Sequence, residues 1–527
     1  LSAGQKPAII AENFDIMTMA AATDTETLIS RLEDILQFVE SREADFADLI
    51  QQVQPHYRDS ARNLVHYMAL RSFDLRPIQE ELSMMSISSL GHSEGYTLTN
   101  LKKILHLLRL VEGLRDYGVQ EDFHSPLNYY RSKEQLQENT LQLFGAHPGH
   151  NSTRIMVTMP REAAYDYDLV RSLLKSGMNI ARINTSHEEP AEWEAMIRHI
   201  RRAEADLGYN CLVYMDLSGP KLRTEQLDPA HTISESRKGD YLLLRQGDRI
   251  SVVRQLPERL PMSETAANTF LSISLPQVFE DVQPDQRIFF DDGKIRAKIT
   301  EVHPDSFEVE ITYAGINGAK LRADKGINLP DTHLRLPSLT EEDHDHLAFM
   351  ARQADIVGYS FVRTPEDVEQ LQSELAKLGR EDMGIILKIE TKEAFENLPK
   401  MLLTAMRSPK TGVMIARGDL AVEMGFERIA EVQEEILWIC ESAHIPGIWA
   451  TQVLEKLASK GIATRAEITD AAMSARAECV MLNKGPYIVD AVATLDDIIG
   501  RMASHQFKRM SNLRPLQVAN QFINNRS

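Results

Sequence analysis

A chain of 527 residues with 43% hydrophobic and 26% charged side chains is long enough for a large core and, as a first expectation, two to four domains. Its 58 basic and 77 acidic residues leave a net charge of -19, which argues against nucleic acid or an anionic membrane as a partner. No run reaches the roughly 18 apolar residues of a spanning helix, and Cys211, Cys440 and Cys479 lie far apart in apolar segments, as expected for reduced thiols in the cytoplasm.

Residues 1–24 lack the basic region and apolar core of a signal peptide. They are read as a disordered leader or tag, with Met17 or Met19 as the expected natural start. Residues 25–150 are helical in pattern. Leu28, Leu32, Ile35, Leu36 and Val39 recur at helical spacing, as do Leu101, Ile104, Leu105, Leu108 and Val111. Pro77 suits the first turn of another helix and Gly91 its stop. A separate helical domain, or a helical arm docked on the remainder of the chain, is expected.

From Arg154 strand and helix alternate. Arg154 to Met159 precedes a helix over 164–176, Asn179 to Asn184 precedes a helix from Pro190 to about Asp206, and Cys211 to Asp216 forms a third strand. Residues 224–327 then look all-β, with turn signals such as QGD and DDG. Alternation resumes with strands at 355–361, 384–390, 412–417, 447–451 and 479–483. Eight βα units over 151–223 and 328–510 point to a closed (β/α)8 TIM barrel interrupted by a small β domain, with 511–527 as a tail. The competitor is an open doubly wound sheet, but no G-x-G-x-x-G, Walker or kinase-type glycine loop follows any strand.

Charge at the strand ends supports the barrel, because its active site is built there. Lys388 and Glu390 are two residues apart on one strand face, and Asp419 follows one strand later at the head of a helix. Taken alone, these residues fit a salt-bridged rim as well as a metal and oxyanion site. Together with them, Arg182, Asn184, Ser186 and His187 after the second strand, Asp216, Ser360, Arg363, Arg417, Thr451 and Gln452 put polar groups at the ends of six consecutive strands. So many converging on one mouth favour a concerted site.

The motifs MNIARINTSH, MDLSGPKLRT, DDGKI, KGINLP, ILKIE, MIARGDLAVE, WATQVLEKL and TRAEITD, in this order, resemble those of pyruvate kinases. The resemblance covers 154 to about 500 and implies transfer of a phosphoryl group from phosphoenolpyruvate to ADP, giving pyruvate and ATP in a cytoplasmic homo-oligomer. It also implies that the β insert is a mobile lid. Glu390 and Asp419 would hold magnesium or manganese, and Arg182 and Lys388 the phosphoryl group. The backbone of Arg417, Gly418 and Asp419, with Thr451 and Ser360, would hold the substrate. Arg223, Lys325 and His187 would meet the nucleotide, and Thr451 would serve the proton route to the enolate.

Asn184, Ser186 and Asp216 match positions that hold potassium in many members. Lys221 stands where those members carry glutamate, so its ammonium is expected to supply a fixed charge near Asp216 and potassium is not expected to be required. Other departures lie on the nucleotide side. VTMPREAA ends the first strand unit, Ser218 replaces a usual lysine, and LNKGPYIVDAV follows the eighth strand. They motivate two alternatives: a barrel enzyme using the same metal-enolate site on another enolpyruvate or 2-oxo acid, and a non-catalytic regulatory homologue. The family's usual C-terminal regulatory domain is expected to be absent.

Overall fold

The computed structural model describes residues 24–87, 90–113, 126–146, 153–235, 239–256, 269–502 and 515–524. The expected leader and natural start lie outside them, apart from Asp24. Eight parallel strands close a barrel: Arg154–Thr158, Ile180–Asn184, Leu212–Asp216, Ile356–Tyr359, Gly384–Ile389, Thr411–Ala416, Gly447–Ala450 and Cys479–Leu482. Each pairs with its neighbours in the chain, and the first pairs with the eighth from Arg154 against Cys479.

Helices cover the outside of the barrel and side chains fill its inside, so its strands are apolar on both faces. All six residues of the fifth and sixth strands are buried. Alternate residues divide between two cores. Met156, Ile180, Tyr214, Ile356, Ile386, Met414, Ile448 and Cys479 form the inner one, while Val157, Ala181, Val213, Val357, Leu387, Val413, Trp449 and Val480 pack outward against the helices. This parity places the functional residues. Two positions beyond an inner residue the side chain again faces the axis, now at the C-terminal mouth, where Thr158, Arg182, Asp216, Gly358 and Lys388 lie.

The insert leaves after the third strand and returns before the helix Glu341–Gln353. Seven strands, in spatial order Ile327–Asn328, Arg287–Phe290, Ile295–His303, Ser306–Tyr313, Arg249–Val253, Thr269–Ile273 and Thr224–Leu227, form one sheet. Leu242–Leu244 and Ala319–Leu321 form a smaller one. Buried and less buried residues alternate along Ile295–His303 and Ser306–Tyr313, and Ile250, Phe290, Ile299, Phe307 and Val309 belong to a core of the insert's own.

The amino-terminal helices Thr25–Asp45, Arg58–Leu70 and Thr97–Val111 share the outer barrel core and Tyr129–Phe144 reaches the inner one, so the docked arrangement is the one adopted. Leu143 and Phe144 enter the inner core from below. There Gly384 and Gly412 make room, since a Cβ on either would come within 2.8 and 2.7 Å of the Leu143 methyls. Polar contacts fix the dock. Buried His444, in the turn before the seventh strand, meets Ser60 Oγ at 2.9 Å and the Gly95 carbonyl at 2.9 Å, and Asn139 donates to its carbonyl at 2.7 Å.

Three expectations change. The helix begun at Arg76 ends at Met84, well before Gly91, which lies in a later turn. The helix expected over 164–176 is Tyr167–Lys175, because the Asp166 side chain caps it by accepting from Leu169 N–H at 3.1 Å. The tail carries a helix, Gln517–Asn524, whose Phe522 ring stacks on Phe46 at 4.6 Å. Among the described residues no helix is long and apolar enough to cross a membrane.

Candidate active site

Four ionisable groups from three strands meet at the mouth, all buried. Arg182 grips Asp216 Oδ2 through Nε at 2.6 Å and Nη2 at 2.5 Å, and its Nη1 donates to Thr158 Oγ1 at 2.8 Å. Tyr214 donates to the other Asp216 oxygen at 2.6 Å. Lys388 Nζ donates to Ser360 Oγ at 2.6 Å and lies 3.3 Å from Glu390 Oε1 and 3.5 Å from Asp216 Oδ1. Glu390 Oε2 accepts from the Phe361 N–H at 2.7 Å.

Burial opposes charge at each of these groups, and their partners decide the outcome. For Asp216 burial is outweighed by Arg182 and Lys388, which hold its carboxyl below the ordinary range. For Lys388 burial is likewise outweighed, by Asp216 and Glu390, so the ammonium is held above its usual value. Glu390 goes the other way: burial pushes its carboxyl up, and repulsion from Asp419 adds to this against the pull of Lys388. It is a desolvated carboxylate facing a second one, and extra positive charge would stabilise both.

Asp419 lies in the first turn of Arg417–Met424. Lys221 Nζ stands 3.0 Å from both its oxygens. This corrects the expected placement of Lys221 beside Asp216. The peptide bends at Gly219, whose φ is +67°, and the ammonium reaches across to the sixth strand unit, leaving Asp216 to Arg182 and Lys388. The Asn184 side chain accepts from Ser186 N–H at 3.2 Å, and Ser186 Oγ donates to Ser218 Oγ at 3.3 Å.

The start of Arg417–Met424 offers backbone N–H groups, and the Arg417 side chain turns away from the mouth. Its guanidinium is held by Asp470 at 2.6 and 2.8 Å and by the Ala450 carbonyl at 2.9 Å. Among the described residues outside its own helix, Thr451 alone comes within 4 Å of where a Cβ on Gly418 would stand. Among the described residues Thr451 Oγ1 is buried with no hydrogen-bond partner. Thr451 and Phe361 have φ of +65° and +54°, so strained backbone collects at this rim. A helix start beside an unpaired hydroxyl suits a small anion.

The residues expected on the nucleotide side make contacts of their own. Arg223 pairs with Asp324 at 3.4 Å and Lys325 with Asp291 at 3.3 Å, on the two segments that join insert and barrel. Burial lowers the pKa of His187, and the nearby charge of Lys484 adds to it. Lys484, from the altered eighth-strand loop, lies 3.3 Å from Glu188.

Sequence reasoning missed Thr158, Tyr214 and Asp470 as members of this network. Tyr214 was the most accessible, being two residues before Asp216 and so on the same strand face. Gly358 was a second clue. A glycine inside a strand signals close approach, and a Cβ there would overlap Tyr214 Oη and Asp216 Oδ1.

The family model described as pyruvate kinase, barrel domain, matches residues 150–492. Among similar curated proteins, the pyruvate kinase of Staphylococcus saprophyticus is 30% identical over 380 residues, 71% of this chain and 61% of the relative. That of Clostridium perfringens is 31% identical over 338 residues, 63% and 66% of the two chains. That of Geobacillus stearothermophilus is 31% identical over 353 residues, 66% and 56%. The matched stretches thus span about two thirds or less of these relatives' length.

Proposed function

The chain belongs to the pyruvate kinase family, and from that premise we propose that it transfers the phosphoryl group of phosphoenolpyruvate to ADP, giving pyruvate and ATP. The observation that carries this reading is the buried cluster of Arg182, Lys388 and Glu390 beside Asp419. Phosphoryl transfer needs fixed positive charge around spread negative charge more than it needs a nucleophile.

In this scheme Arg182 and Lys388 hold the phosphoryl oxygens. The bond from phosphorus to the enol oxygen breaks as a terminal oxygen of ADP bonds to phosphorus. Lys388 compensates the enolate left behind, which then takes a proton on its methylene carbon by a route through the Thr451 hydroxyl. The substrate carboxylate sits against the N–H groups of Arg417, Gly418 and Asp419 and accepts from Thr451, which explains why Oγ1 is kept buried and unpaired. Arg223, Lys325 and His187 serve the nucleotide phosphates.

Glu390 and Asp419 suit magnesium or manganese. Among the described residues no cluster of three or more His, Cys, Asp or Glu is gathered for a metal, but a hard cation that keeps waters and substrate oxygens in its shell needs only one or two protein carboxylates. Bound there, the ion would supply Lewis-acid charge to the phosphoryl and enolate oxygens. Lys221 places a permanent cation on Asp419, and on this ground we propose that potassium is not required. Three buried, unpaired cysteines support a cytoplasmic setting.

The test is ADP-dependent pyruvate formation from phosphoenolpyruvate with magnesium or manganese, with potassium present or replaced by a non-activating cation at constant ionic strength. Equal turnover in the two salts is expected. Collapse without potassium removes the role given to Lys221, and absence of ADP-dependent turnover in both removes the transfer itself.

A further inference from the structure

The insert joins the barrel through two segments, and each sends a side chain to the same short helix. The outgoing segment carries Lys221, bound to Asp419 at 3.0 Å. The returning segment carries Asn328, whose Nδ2 donates to Glu423 Oε1 at 3.1 Å. Asp419 and Glu423 are one turn apart in Arg417–Met424 and so share a face. The two segments are also tied to each other, by Ile327 N–H to the Leu222 carbonyl at 2.9 Å and by the bridge between Arg223 and Gly326. A third contact comes from the insert itself, where a Cβ on Gly293 in the DDG turn would stand 3.6 Å from Val422 of that helix and 3.3 Å from Phe426 in the turn just after it.

Asn328 is placed to transmit position. Its backbone belongs to the insert sheet, in register with Phe289, while its buried side chain reaches the barrel. Movement of the insert therefore cannot leave the Asn328–Glu423 bond unchanged unless the helix follows.

We propose that Asn328 and Glu423 are a positioning pair that latches the insert to the helix bearing Asp419, so that placement of the insert and binding of a divalent cation at Glu390 and Asp419 are energetically linked. The metal half of this statement rests on the function proposed above. The latch itself does not. By linkage, whatever the insert's position does to cation affinity, the cation does in return to the insert.

Asn328→Ala removes the donor without touching either carboxylate expected to bind metal. Two measurements on the full chain are made: amide hydrogen exchange without metal over 221–228, 322–330 and 417–425, and the Kd of manganese alone from free-ion electron paramagnetic resonance. The expected results for Asn328→Ala are faster exchange in 417–425 as well as in 322–330, and manganese binding weaker by about fivefold, the lower end of typical coupling. With both measurements made at about pH 6, below the raised Glu423 pKa, Glu423→Gln keeps an acceptor oxygen and should remain near wild type in both, whereas Glu423→Leu should reproduce Asn328→Ala and serves in its place if that variant does not fold. Unchanged exchange in 417–425 overturns the latch, and an unchanged Kd overturns its link to the metal site. If the wild-type chain binds no manganese, the metal reading falls and exchange alone decides whether the latch stands.

Discussion

Glu423→Gln gives a stability test independent of activity. Burial pushes the Glu423 carboxyl up to about 7 from its ordinary 4.5, with the Asn328 hydrogen bond pulling down and Asp419 pushing up. Because the folded pKa lies above the unfolded one, the folded chain keeps a proton that the unfolded chain has released between these values. Stability contributed by the neutral form is thus complete below pH 4.5 and is lost as pH rises to 7. At about 1.4 kcal/mol per pH unit, the window corresponds to about 3 kcal/mol, an upper figure because the side chain borders a cavity lined also by Asn328, Asp331 and Glu393. Glutamine has the same shape and no charge to lose, so Glu423→Gln should match wild type at pH 4.5 and be more stable by up to about 3 kcal/mol above pH 7.5. Urea unfolding of both proteins in chelator at several pH values measures this. A stability difference that is constant across the range would refute the raised pKa.

Lys388→Ala should lower turnover by at least about 10²-fold, the scale of a lost transition-state charge contact; near-normal turnover would remove Lys388 from the mechanism. His444 is held neutral by burial, its pKa pushed down to about 4 from 6.5, so the unfolded chain takes up a proton that the folded chain refuses. Exchange protection of Arg58–Leu70 and Tyr129–Phe144, corrected for intrinsic rate, should therefore fall as pH drops from 6.5 towards 4, and flat protection would contradict it. Leu143→Ala empties the lower end of the barrel and should cost about 2–5 kcal/mol in denaturant unfolding; a cost under about 1 kcal/mol would mean that the site collapses or that the plug is dispensable.

Much of the barrel was legible because strand parity is local. Ile386, Lys388 and Glu390 declare by spacing alone that they share a face, and the apolar runs on either side declare which elements are buried on both sides. The same local logic found Arg182, Asp216, Asp419 and Thr451 as strand-end groups. It could not choose between a salt-bridged rim and an ion site; in the structure Lys388 is bridged to Glu390 and Asp216, and burial still holds the Glu390 carboxyl above its ordinary range.

Periodicity and motif order in the sequence therefore determined the eight strands, the place of the insert and the residue types at the mouth, because each depends on neighbours a few positions apart. Partner choice was decided only in three dimensions. Lys221 meets Asp419, 198 residues away, instead of Asp216 five positions before it. Asn328 meets Glu423, and His444 meets Ser60. Closure of the barrel and the paths of the two insert segments fix those distances, and one-dimensional spacing carries no measure of either.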